Sequence, residues 1–156
     1  MSKLINSISI TVGTLGIFFG FFFLSNDPFL SLRIITITTV GIVGVLSFIR
    51  HFVFHKEDAK RLGWETEKPD WMFEVGFANL SFGFMGITSV FFGWGVETLS
   101  LVLLGYAVYL FQAALLHGYR YFTDETKLAS RLWRSCLLTF FYVSMMTFFA
   151  LQVHLN

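Results

Sequence analysis

Charge is scarce in this sequence. Asp, Glu, Lys and Arg make up 13% of its 156 residues, against roughly 25% in an ordinary soluble domain. A soluble chain of this size leaves much of its area in water, and here 55% of the residues are hydrophobic and 21 are Phe. A lipid solvent removes the conflict. The net charge of +1 gives no bulk attraction for nucleic acid. The single cysteine, Cys136, excludes an intrachain disulfide. No His-Glu-x-x-His, Ser-His-Asp order, Gly-rich phosphate loop or cysteine pair occurs, and no charged residue falls at mid-span, where a proton relay or voltage sensor would need one. No internal repeat divides the chain into inverted halves, as many transporters require. Nothing here marks an enzyme.

Long apolar runs are present instead. Crossing a bilayer takes about 20 apolar residues as a helix. Five stretches qualify: Leu4–Leu24, Leu32–Phe54, Trp71–Gly93, Thr98–Tyr119 and Leu132–His154. Helix is expected over strand because the runs are continuous and lipid offers the backbone no hydrogen bonds. The fold class is therefore all-α, a polytopic transmembrane bundle of about five spans forming one integral membrane domain over residues 1–156. The first run exceeds a signal-peptide core and no small-x-small site follows it, so it is expected to be retained. Ser25-Asn26-Asp27-Pro28 and Gly93-Trp94-Gly95 read as turns. His55 to Asp70 is the longest polar stretch, and Thr123 to Ser130 is a charged loop.

Lys and Arg set the orientation. With the N-terminus inside and the C-terminus outside, Lys3, Arg50, Lys56, Lys60, Arg61, Lys68, Arg120, Lys127, Arg131 and Arg134 are cytoplasmic. Only Arg33 is external. A plasma membrane or an organellar one is the expected location, with membrane lipid as surroundings and a homo-oligomer or a larger complex as the assembly.

Membrane helices pack through small residues and interhelical hydrogen bonds. In the third span Gly76, Asn79, Gly83, Gly86 and Val90 share a stripe at 100° per residue, and Glu74, Ala78, Ser81, Met85 and Thr88 lie opposite. Two small or polar faces predict a central helix packed on both sides, with Phe73, Phe77, Phe84 and Phe91 between them. Asn79 is expected to hydrogen-bond to a neighbouring helix or to orient a ligand.

His51, His55, Glu74 and His117 fall at a similar depth near the inner interface. Imidazole and carboxylate suit a transition metal, and His51 with His117 is an axial pair for haem. The plainer reading is structural. His55 sits among Lys56, Glu57 and Asp58 like a surface residue, and Glu74 complements a helix N-terminus. Arg50 and Arg120 are topology signals or contacts to a lipid headgroup.

The segments Arg50-His51, Gly63-Trp64 and Phe73-Glu74-Val75-Gly76-Phe77-Ala78-Asn79-Leu80-Ser81-Phe82-Gly83 resemble a signature of uncharacterised small prokaryotic membrane proteins. The resemblance covers about residues 50–95 and implies a membrane bundle, with no activity to carry over. Three readings follow. The leading one is a non-enzymatic oligomeric module: a pore, a carrier or a complex subunit. The second is a metal- or haem-dependent redox protein. The third is a lipid- or quinone-binding protein.

Overall fold

The computed structural model describes residues 1–124 and 132–152, without the side chain of Arg134. Lys127, Arg131 and His154, from the sequence reading above, lie outside the described residues, as does the side chain of Arg134. Within them the chain is helical, with no strand. The helices are α1 (Ser2–Leu24), α2 (Pro28–Val53), α3 (His55–Leu62), α4 (Asp70–Phe91), α5 (Val96–Thr123) and α6 (Leu138–Gln152). A wide π turn, Trp133–Leu137, leads into α6.

Four helical segments are long and apolar enough to cross a membrane: Ser2–Leu24, Pro28–Val53, Val96–Thr123 and Ser135–Gln152. The 22-residue α4 is long enough, but Glu74, Asn79 and its glycines and serines dilute its hydropathy below that of the other four.

Local signals explain the boundaries. At the α1–α2 turn, the Asp27 side chain accepts from the Leu30 N–H at 2.8 Å and Pro28 begins the helix. Gly63, at φ 67°, ends α3 in the left-handed region, where a side chain would be strained. Helix α3 itself is a difference from the sequence reading, which left this stretch polar and unassigned. It forms because Ala59 and Leu62 bury one face, together with Asp58.

Helix α2 is wound loosely at Thr36–Ile42 and Ile49–Val53, both π-helical. Threonine hydroxyls stabilise the first stretch. Thr36, Thr38 and Thr39 donate to the carbonyls of Leu32, Ile34 and Ile35 at 2.8, 2.6 and 2.7 Å, taking up acceptors that a π turn withdraws from the ordinary ladder.

Helices α2 and α4 approach through glycine. A Cβ on Gly44 would stand 2.8 Å from the Asn79 carbonyl oxygen, and one on Gly86 2.8 Å from the Gly41 nitrogen. The expected stripe of Gly76, Asn79, Gly83 and Gly86 is thus the buried face of α4. Its opposite face is not packed: Glu74, Ser81 and Met85 are exposed. The hydroxyls there need no second helix. Ser81 donates to the Phe77 carbonyl at 2.9 Å and Thr88 to the Phe84 carbonyl at 2.8 Å. Helix α4 therefore lies at the rim of the bundle.

The solid core sits at one end. Leu32 and Ile35 from the start of α2, Leu99 and Leu103 from the start of α5, and Met146 and Phe149 from the end of α6 are fully buried together. Gly20 admits Ile35 and Phe149 against α1. The outer surface is apolar, with Phe18, Phe22, Phe84 and Leu101 exposed by 60–71%. Toward the end that carries α3 the helices part.

Candidate functional site

The parting helices enclose a cleft of about 1180 Å³. Helix α1 supplies Asn6, Ile10 and Phe18 to its wall, and α6 supplies Leu138 and Phe141 opposite. Ser47, Arg50 and His51 of α2 and Tyr106, Tyr109 and His117 of α5 line its depth. Walls of this kind suit an apolar ligand, while a few polar groups orient it.

At the α3 end, Asp58 is completely buried. His51 Nδ1 lies 3.0 Å from its Oδ2. Arg61 Nε and Nη2 each approach Oδ1 at 2.9 Å. The Ser2 hydroxyl donates to Oδ1 at 2.8 Å, and Arg50 Nε stands 3.5 Å away. Arg50 then donates through Nη1 to Asn6 Oδ1 at 2.5 Å and contacts His51 Nε2 through Nη2 at 3.1 Å. A guanidinium can only donate, so Nε2 of His51 is the acceptor and Nδ1, on the side of Asp58, carries the hydrogen. The cluster ties α1, α2 and α3 together. Burial by itself would raise the Asp58 carboxyl; the polar contact with His51 and the charges of Arg50 and Arg61 outweigh it and hold the group well below its ordinary value.

Arg50 and His51 are consecutive, yet both line the cleft. They fall in the π stretch Ile49–Val53, whose wider turn brings neighbouring side chains closer to one face. Loose turns of this type recur at functional sites.

Deeper in the bundle Asn79 is buried. Its amide donates to the Val75 carbonyl at 2.8 Å and the Tyr109 hydroxyl at 3.0 Å, and its oxygen accepts from the Tyr106 hydroxyl at 2.8 Å. Asn79 thus bonds across to α5.

The four residues suggested for metal do not converge. Among the described residues no group of three or more His, Cys, Asp or Glu is arranged to hold an ion. Both nitrogens of His51 face Asp58 and Arg50, which leaves neither for a metal or a haem iron. His55 Nδ1 contacts the Phe52 carbonyl at 3.0 Å, and its ring meets Phe73 edge-on. Glu74 is exposed. His117 stacks on Trp64, with ring centroids 4.7 Å apart and planes 7° apart, and Trp64 meets Trp71 at 5.5 Å. Arg120 is exposed and pairs with Asp124 at 3.4 Å.

Sequence reasoning missed Asp58, Ser2, Asn6 and Arg61 as site residues. One signal was available: Asp58, Ala59 and Leu62 share a face of a short helix, and Asp58 and Arg61 stand three apart.

A family model described as a family of unknown function (DUF6790) matches residues 7–154. No curated protein and no solved structure matches the chain.

Proposed function

We propose that this chain, which belongs to the DUF6790 family, is an integral membrane protein that binds one membrane amphiphile in the cleft. The observation that carries the reading is the cleft itself: about 1180 Å³, polar at the α3 end and walled by apolar residues of α1 and α6. The amphiphile's head would lie beside Arg50 and Trp64, with its tail running between Ile10 and Phe141.

The topology that goes with this reading has five spans, α4 included, and a cytoplasmic N-terminus. The basic residues favour it, and so does the meeting of Ser2 with Asp58 at one end of the bundle. In a Cys136→Ala background, Glu67→Cys is expected to resist an impermeant maleimide in intact cells, while Asn26→Cys reacts. The reversed pattern would invert the topology, and reaction of both would break the span count.

The oligomeric pore expected from the sequence takes second place. Asn79, the polar residue it would need on a conducting path, spends its amide on Val75, Tyr106 and Tyr109. Occupancy of the cleft is read by mass spectrometry of protein purified in mild detergent. The native chain is expected to retain an amphiphile near one per chain. Ala113→Phe on α5 and Thr14→Phe on α1, both on the cleft wall, are expected to lose it, while Phe84→Ala on the exposed face of α4 keeps it. A native chain that retains nothing, or filled clefts that retain as much, would end the proposal.

A further inference from the structure

Which head the cleft accepts is decided by its charge, and the argument rests on the cleft reading above. Among the described residues three arginines line it: Arg50, Arg61 and Arg120. Glu65 and Asp124 stand on the same wall, and Asp58 lies directly behind Arg50 and Arg61. Among the described residues, and leaving the imidazoles aside, three cations stand with three carboxylates. Arg61 grips Asp58 at 2.9 Å, and Arg120 reaches Asp124 at 3.4 Å. These described groups offer a phosphate head no net attraction. The charge of Arg61 is already compensated by the buried Asp58 carboxylate. Anion sites in membrane proteins carry cations in excess.

What the polar end offers is flat rings and neutral-acceptor chemistry. Trp64 and His117 stack nearly parallel, Trp71 abuts Trp64, and all three line the cleft. Offset stacking suits another flat ring. With Nε and Nη2 of Arg61 on Asp58, nothing else among the described residues accepts from its Nη1, which suits an uncharged carbonyl oxygen.

We infer that the occupant is an uncharged, flat-ringed amphiphile of the quinone class, its ring beside the Trp64–His117 stack and its apolar tail between α1 and α6. An anionic phospholipid is the competing occupant.

The position of Trp64 and Trp71 supplies the readout, because a quinone quenches indole fluorescence on contact. The full chain is placed in phosphatidylcholine nanodiscs and titrated with a decyl-substituted benzoquinone. Expected is a saturable quenching component above the linear background from the outlying tryptophans. That component disappears in Ala113→Phe and in Trp64→Phe, and survives addition of phosphatidylglycerol to the disc. Two results would overturn the inference. In one, phosphatidylglycerol abolishes the saturable component. In the other, the titration is linear throughout while the purified chain still retains a phospholipid that Ala113→Phe loses. The cleft reading outlives both results, since it falls when the native chain retains no amphiphile or when the filled clefts retain as much.

Discussion

Replacing Asp58 with alanine is expected to destabilise the protein by about 3–5 kcal/mol, the range for leaving a buried ion pair with one partner. The carboxylate is fully buried and serves four side chains: His51, Arg50, Arg61 and Ser2. Its loss leaves two guanidinium groups close together with no counter-charge, and leaves the Nδ1–H of His51 without an acceptor. Asn at this position keeps the shape but turns an N–H₂ group toward a set of donors, so Asp58→Asn is expected to fall close to alanine. Glu57 is the control. It is the carboxylate immediately before Asp58, but its side chain is 53% exposed and its salt bridge runs to the chain's amino group. Exposed pairs of this kind contribute little, so Glu57→Ala should barely move the melting temperature in detergent. If Asp58→Ala melts with Glu57→Ala, the cluster does not hold the fold. Protease sensitivity between residues 55 and 70 localises the effect, because α3 is the element that Asp58 anchors.

The same carboxylate sets an acid limit. Its folded value lies below the ordinary one, so the linkage runs in the carboxylate direction. The stability it contributes is fully present above the unfolded value, at about pH 4. It is lost only as pH falls further, toward the depressed folded value. The melting temperature of the native chain should drop on going below about pH 4, and Asp58→Ala should lack that part of the drop.

Much of the fold could be read from the sequence because lipid narrows the choices. An apolar run of about 20 residues in a bilayer has to be a helix, and five of the six helices stand where such runs were seen. The glycine face of α4 was visible for a related reason: small residues at helical spacing are what lets two backbones approach without a hydrophobic drive. The site was less legible. Asp58 sits in a run of charges, Lys56 to Arg61, which in isolation describes a solvated surface. Only folding α3 back onto Ser2 and His51 turns it inward. The loose turns of α2 also hide in the sequence. They shift the azimuth of everything beyond them, and Arg50 and His51 share the cleft partly for that reason. His51, His55, Glu74 and His117 were grouped by count along their helices, but the direction of a side chain is set by winding, and among the described residues they do not gather around one point.

The second large effect lies where the backbones of α2 and α4 meet. A Cβ at Gly83 would stand 2.9 Å from the Val45 nitrogen and 3.1 Å from the Gly41 oxygen. These neighbours are backbone, so no rotamer change relieves the overlap and α2 and α4 have to separate. Overpacking in a well-packed interior costs about 1–3 kcal/mol when side chains can share the strain; here Gly83→Ala should reach the top of that range, and Gly83→Leu should prevent a stable bundle. Gly76, about two turns earlier on the same stripe, is the internal comparison. Its added Cβ would meet Phe52, His51 and Phe48 side chains at 3.4–3.6 Å, ordinary contact distances, so Gly76→Ala should be near neutral. Helix propensity favours alanine over glycine at both positions by about 1 kcal/mol, so any loss at Gly83 comes from the contact and not from the helix. Gly44 lies on the other side of that contact, 2.8 Å from the Cα of Gly83 by its own added Cβ. Once one substitution has forced the helices apart, the second has less left to disturb. The double variant Gly44→Ala with Gly83→Ala should therefore melt higher than the sum of the two losses predicts, whereas simple additivity would mean that the two glycines do not share one interface.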